Sequence, residues 1–238
     1  LEYFMTTIIG LRAEKGLKEN RGIVLASDMS GTYEYKDDRG EIIVKRQAKT
    51  TRQKIYEDTK GDFVVAMSGI RDEVYMDFLS NLLRGKIELK KALENSYFPE
   101  LAKLTLDRWG HKKPDKRFNE LLIASRFDEQ PKLYSCSELG AIEHIKSIGA
   151  AIGSGRDYAI DYVNLRMGAP NPKYPGITMK RAIRLAYGAI GKASKDIYTG
   201  GEDISTITGK EIKNHGKEIN KAVEKTKKQE LDKILEDY

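Results

Sequence analysis

Two nearly continuous apolar runs, at residues 6–13 and 22–29, read as a pair of strands. A charged stretch at 33–44 predicts a hairpin turning at Asp37-Asp38-Arg39-Gly40. Residues 54–56 and 63–67 flank a turn at Lys60-Gly61-Asp62. The period then changes. Val74, Phe78, Leu79, Leu82 and Leu83 recur at helical spacing, as do Leu93, Leu101, Leu104 and the nearby Trp109, with Pro99 beginning or kinking part of that second stretch. Strands return at 121–124 and 133–135, around the hairpin signal Asp128-Glu129-Gln130-Pro131, and 142–152 is strand-rich. Helices are predicted at about 157–167 and 179–197, separated by the loop 168–176. Residues 203–208 read as the last strand, and after Ile212 the chain reads as helical to the end, where Ile219, Ala222, Val223, Thr226, Ile234 and Leu235 form a narrow apolar stripe.

Strands, two helices, strands, two helices and a strand suit two stacked sheets covered by a helix layer on each side. The order is not an alternating βα series and contains no glycine-rich phosphate loop, which argues against a dinucleotide fold. The length of 238 residues supports one domain with a full core, and 39% hydrophobic with 33% charged residues reads as soluble and globular. The lone cysteine, Cys136, allows no internal disulfide and fits a reducing cytoplasm. It sits in an alternating segment as a core or strand-surface residue. No stretch approaches the roughly 18 apolar residues of a membrane span, so no membrane contact is expected. Residues 1–4 lack the basic region and the length of a secretion signal.

A net charge of +6 raises nucleic acid as a partner. The basic residues are spread among acids, however, and residues 210–238 carry eight lysines against seven acids, a solvated helix face. No nucleic-acid partner is expected. His111, His144 and His215 lie far apart and suggest no metal site.

The chemistry concentrates near the N-terminal end, in Met5-Thr6-Thr7-Ile8-Ile9-Gly10 and the apolar run Ile23-Val24-Leu25-Ala26-Ser27-Asp28. A threonine behind a methionine is one cleavage away from being an N-terminal residue. A free N-terminal threonine holds nucleophile and base together: its hydroxyl attacks and its α-amine, with an ordinary pKa of about 7.7–8.0, takes the proton. Thr7 reads as a strand residue.

Further segments follow in order: Lys54-Ile55-Tyr56, Phe63-Val64-Val65-Ala66-Met67-Ser68-Gly69, Ala151-Ile152-Gly153-Ser154-Gly155 and Lys195-Asp196-Ile197-Tyr198-Thr199-Gly200-Gly201. Together these pieces, over residues 6–212, resemble the catalytic β-type subunits of the proteasome, within the N-terminal-nucleophile hydrolases. They are similar also to the bacterial HslV-type peptidase. The resemblance implies an α+β fold, the four-layer α-β-β-α sandwich, which agrees with the element order read above.

By this resemblance Thr6 is the nucleophile, with Gly10 at the family's glycine four residues on. Asp28 is the acid that pairs with a lysine, although a capped turn residue explains it as well. Lys54 is that lysine, with Lys49 a nearby competitor and a solvated strand-edge lysine the plain alternative. A buried ammonium beside the threonine favours an alkoxide-like oxygen, and the carboxylate keeps the lysine charged. Gly69 supplies the oxyanion N–H, and is equally a strand-to-helix turn glycine. Ser154 hydrogen-bonds near the nucleophile, or caps a helix. Asp196 and Thr199 match a late Asp-x-x-Ser pattern with threonine for serine, Asp196 otherwise ending a helix. For substrate binding, Thr32 pairs its backbone with the bound chain or is a turn residue after Gly31. Met67 lines the first specificity pocket or packs in the core.

The chain departs from the family pattern in the long segment 14–21, the charged insert 33–53, and Ser30, where β subunits often carry arginine. Residues 1–5 are a short propeptide or were added ahead of the native start. Self-processing β subunits usually carry glycine before the threonine, so Met5 points to methionine removal. The expected organisation is therefore residues 1–5, a hydrolase domain at 6–212, and a C-terminal helical extension at 213–238 that packs on a neighbouring subunit, packs on its own domain or frays.

The expected activity is that of a threonine endopeptidase without cofactor or metal. The resemblance implies a cytoplasmic, ring-forming homo-oligomer, fed unfolded polypeptides by an ATP-dependent unfoldase and open to other proteasome-type subunits. Two alternatives stay open: a non-catalytic structural ring subunit, and an amidohydrolase of the same superfamily acting on small amides.

Overall fold

The computed structural model describes residues 3–4, 6–16, 21–28, 30–36, 42–49, 54–70, 73–109, 119–126, 131–167, 176–193, 203–208 and 211–214. The first half carries β1 (Tyr3–Phe4), β2 (Thr7–Ala13), β3 (Gly22–Ser27), β4 (Ser30–Lys36), β5 (Ile42–Lys49), β6 (Ile55–Glu57) and β7 (Phe63–Ile70), then α1 (Glu73–Leu83), α2 (Leu89–Glu94) and α3 (Tyr97–Trp109). The second half carries β8 (Glu120–Ser125), β9 (Lys132–Cys136), β10 (Ile142–His144), β11 (Gly149–Gly153), α4 (Arg156–Met167), α5 (Met179–Ala193), β12 (Asp203–Thr208) and β13 (Ile212–Asn214).

These described elements make a mixed α/β fold of two antiparallel sheets and five helices. One sheet runs β10-β9-β8-β7-β1-β4-β5, with β6 also paired to β7. The other runs β11-β2-β3-β12-β13.

Strand periodicity explains the cores. Successive strand side chains point to opposite faces. On β2 and β3, Ile9, Leu11, Val24 and Ala26 pack under α4 and α5, against Val163, Ile183, Ala186 and Ile190. Their neighbours Ile8, Ile23 and Leu25 turn to the other sheet and meet Ile55, Val64, Ala66, Leu122 and Leu133. On β7, Phe63, Val65 and Met67 face α1 and α3 through Leu79, Leu82, Phe98 and Leu101. A strand buried on both faces has no reason to alternate, which is why these segments read as continuous apolar runs.

Helix α5 buries Met179, Ala182, Ile183, Ala186, Ala189, Ile190 and Ala193 along one face. Its alanines let it lie close to β2 and β3.

Two expectations are corrected. The stretch around Leu93–Trp109 is two helices, α2 and α3, separated at Asn95 and Ser96. Asn95 closes α2 by donating both its N–H and its side-chain amide to the Lys91 carbonyl. Pro99 falls in the first turn of α3, where an N–H would have no helical partner in any case. The stretch 142–152 is strand-rich as expected, and its two strands divide between sheets, β10 pairing with β9 and β11 with β2. Residues 203–208 are not the last strand, because β13 pairs with β12 through Thr206↔Lys213 and Ile207↔Ile212. The helix expected after Ile212 does not begin there, since Lys213 and Asn214 belong to β13; the rest of that expected helix, the hairpin turn at 37–40, the loop 168–175 and the end of α5 expected at 194–197 lie outside the described residues.

Candidate active site

Thr6 directly precedes β2 and Asp28 directly follows β3. The antiparallel register Ile8↔Ser27 brings the two together. The Asp28 N–H donates to the Thr7 carbonyl at 3.0 Å, and the Thr7 N–H donates to Asp28 Oδ1 at 2.8 Å. Lys54 precedes β6 in the other sheet, fixed by the Met67 N–H donating to its carbonyl at 3.0 Å. Its side chain reaches Thr6: Nζ donates to Oγ1 at 2.5 Å and to Asp28 Oδ1 at 3.0 Å. The Thr6 hydroxyl in turn donates to Asp28 Oδ1. Lys54 is thus brought against Thr6 and Asp28. Its competitor Lys49 lies on β5, opposite Ser30.

Thr6 and Asp28 are fully buried, and the Lys54 side chain is 3% exposed. Burial raises the Asp28 carboxyl above its usual value, with the Lys54 ammonium, the Thr6 hydroxyl and the Thr7 N–H pulling the other way. A buried ion pair is weak support for a fold, because desolvating both charges offsets their attraction. A lysine, an aspartate and a hydroxyl gathered at such cost suit chemistry better than stability.

Gly69 and Thr32 lie on strands that flank β1. Phe4 is paired with Gly69 and Tyr3 with Ile70 on β7, while Tyr3 is paired with Thr32 on β4. The segment just before Thr6 therefore fills a strand position between Thr32 and Gly69. Gly69 has φ +125°, a conformation that a side chain would strain. Sequence periodicity could not reveal a two-residue strand such as β1.

On the opposite side of Thr6 lies the end of β11. The Ser154 N–H donates to the Thr6 carbonyl at 2.9 Å, so the backbone of Ser154 holds the candidate nucleophile. Its side chain is exposed. Ser154 is not the cap of α4, since the carbonyl of Gly155 accepts the Ala159 N–H that opens the helix. Beside it, Gly153 has φ +88°, and a Cβ there would stand 1.8 Å from the Thr6 carbonyl oxygen. The carboxylate of Glu120 accepts the Gly153 N–H and pairs with Arg156. The sequence reading missed Glu120, which lies 33 residues from its partner.

Met67 is 4% exposed and packs in the core under α1 and α3. Asp196 and Thr199 lie outside the described residues. Among the described residues no group of histidines, cysteines or carboxylates could hold a metal ion. No described helix is long and apolar enough to cross a membrane.

Two antiparallel sheets with this Thr–Asp–Lys cluster define the setting for the comparison with known proteins. The family model described as proteasome subunit matches residues 6–207. The chain belongs to the proteasome subunit family. No match was found among curated proteins.

Proposed function

We propose that the chain is a β-type, catalytic proteasome subunit: a threonine endopeptidase whose nucleophile is Thr6. The observation that carries this reading is the buried Thr6 hydroxyl held between Lys54 and Asp28. The three layers of packed core support the four-layer α-β-β-α order that goes with it.

The mechanism requires the Met5–Thr6 bond to be cleaved, because an amide nitrogen cannot accept a proton and the freed α-amine can. That amine then takes the Thr6 hydroxyl proton as Oγ1 attacks a peptide carbonyl. The Lys54 ammonium stabilises the developing negative charge on Oγ1, and its positive charge disfavours protonation of the amine. Asp28 holds Lys54 in place. The Gly69 N–H stabilises the tetrahedral oxyanion, the amine returns its proton to the leaving amine, and water then hydrolyses the ester.

The pairing of β1 supports an extended polypeptide as substrate over a small amide. Once residues 1–5 have gone, the strand position between Thr32 and Gly69 is open to another chain, which would be held by backbone hydrogen bonds. Met67, Asp196 and Thr199 keep their proposed roles in the specificity pocket and beside the nucleophile. We place the active form in a cytoplasmic homo-oligomeric ring fed by an ATP-dependent unfoldase, with the segment after β13, residues 215–238, on a neighbouring subunit and other proteasome-type subunits as further partners.

One observation favours a second reading, the structural ring subunit: Tyr3 and Phe4 occupy the strand position beside Gly69. Intact mass before and after an epoxyketone separates the two. A chain starting at Thr6 that gains a single adduct, and loses it in Thr6→Ala, supports the peptidase. A free Thr6 that takes no adduct supports the structural subunit.

A further inference from the structure

Thr6 leads into β2 of one sheet, whereas Gly69 sits on β7 of the other, so attack at a carbonyl held by Gly69 depends on how the two sheets are fixed at this end. Glu120 joins them. It opens β8 opposite Ser68, next to Gly69. Its side chain crosses to the other sheet, where Oε2 accepts the N–H of Gly153 at 3.0 Å. Its second oxygen, Oε1, accepts from Nη1 of Arg156 at 2.9 Å, at the start of α4. Gly153 is paired with Thr7, and the next N–H, from Ser154, holds the Thr6 carbonyl. A short chain of contacts thus runs from Arg156 through Glu120 and the 153–155 turn to the main chain of Thr6.

The geometry allows little slack. Gly153 lies so close that a Cβ would stand 1.8 Å from the Thr6 carbonyl oxygen and 2.9 Å from Ser68 Oγ. A turn that close transmits its own displacement to Thr6. The Glu120 side chain is 12% exposed and that of Arg156 is 34% exposed, so the pair is partly solvated and adds little to stability. Its effect is orientation: with both oxygens engaged, the carboxylate cannot rotate away from the Gly153 N–H.

We infer that Glu120 is a positioning residue for the Thr6 reaction, anchored by Arg156, which holds the 153–155 turn and with it the nucleophile against the Gly69 strand. This inference rests on the threonine-peptidase reading. Glu120 acts through Gly153 and takes no proton in the reaction.

The test uses the full chain processed to start at Thr6, in parent, Thr6→Ala, Glu120→Ala, Glu120→Gln and Arg156→Met forms. Peptide turnover, rate of epoxyketone adduct formation and hydrogen exchange across residues 150–156 are measured on each. Glu120→Ala is expected to lower kcat by about 10²-fold, the scale of a misplaced reacting group, with KM nearly unchanged and exchange faster at the turn. Glu120→Gln keeps an acceptor for Gly153 but turns its NH2 toward Arg156, and Arg156→Met leaves the carboxylate unanchored, so both are expected to fall between Glu120→Ala and the parent, with exchange at the turn faster than in the parent. Should Glu120→Ala fail to fold, these two variants carry the comparison, and parent-like turnover and exchange in both would overturn the inference. Parent-like turnover and exchange in Glu120→Ala would also overturn it while leaving the peptidase reading intact. A parent chain with neither Thr6-dependent turnover nor adduct would overturn the peptidase reading, and the positioning role with it.

Discussion

Nζ of Lys54 stands 2.5 Å from Oγ1 of Thr6, although 48 residues separate them and their strands lie in different sheets. The contact spans the inter-sheet core and is closed from behind by Asp28, 3.0 Å from the same nitrogen. Removing the lysine leaves a carboxylate buried without its cation. Lys54→Met is therefore expected to lose turnover and to destabilise the fold by about 3–5 kcal/mol. Adding Asp28→Leu should recover most of the stability and none of the activity. Denaturant unfolding of the two variants beside a peptidase assay checks this, and recovered activity in the double variant would remove the pair from the mechanism.

Asp28 gives a pH dependence of definite sign. Burial raises its folded pKa above the usual 3.8. The folded state therefore holds the proton more tightly than the unfolded state. The stability this contributes is fully present below 3.8 and is lost as pH rises through the folded value. The difference in unfolding free energy between the parent and Asp28→Asn should fall with rising pH across that window and then level off. A difference that grows with pH would mean that Lys54 and the two other donors outweigh burial.

Gly153→Ala should damage both fold and site. The residue has φ +88°, and the added carbon would meet the Thr6 carbonyl oxygen. Backbone strain alone is worth roughly 1–3 kcal/mol. A lowered melting temperature and a slower Thr6 adduct are expected together. A variant as stable and as reactive as the parent would show that the turn is not the support described above.

Cys136 should be inert in the folded protein. It is 1% exposed, and burial pushes its thiol up to about 12, leaving essentially no thiolate at neutral pH. A thiol reagent should modify nothing under native conditions and one group per chain in denaturant. Fast native labelling would place Cys136 at an accessible surface.

Much of this architecture is legible in the residues. The strand pair β2 and β3, the β8–β9 hairpin and the buried face of α1 follow from local apolar spacing, which acts over a few residues. Thr6, Asp28 and Gly69 each begin or end such a run, but their candidate roles came from the resemblance to a known family and not from the spacing. The division between α2 and α3 was missed because Leu93, Leu101 and Leu104 keep a helical spacing across Asn95 and Ser96, and spacing does not register a change of axis. Strand β1 was missed because two residues carry no period; its partners Gly69 and Thr32 define it.

By itself the sequence determined which segments read as strands and which as helices, and its resemblance to a known family singled out the threonine, acid and glycine as candidates for a common chemistry. Only the tertiary structure decided that Lys54 reaches Thr6, that β1 fills the strand position beside Gly69, and that Glu120 ties the two sheets beside the nucleophile. The reason is physical. Periodicity records what each residue does relative to its own strand or helix. A hydrogen bond between residues 6 and 54, or 120 and 153, exists only where two sheets pack at a particular register and distance, and that is set by the whole core at once.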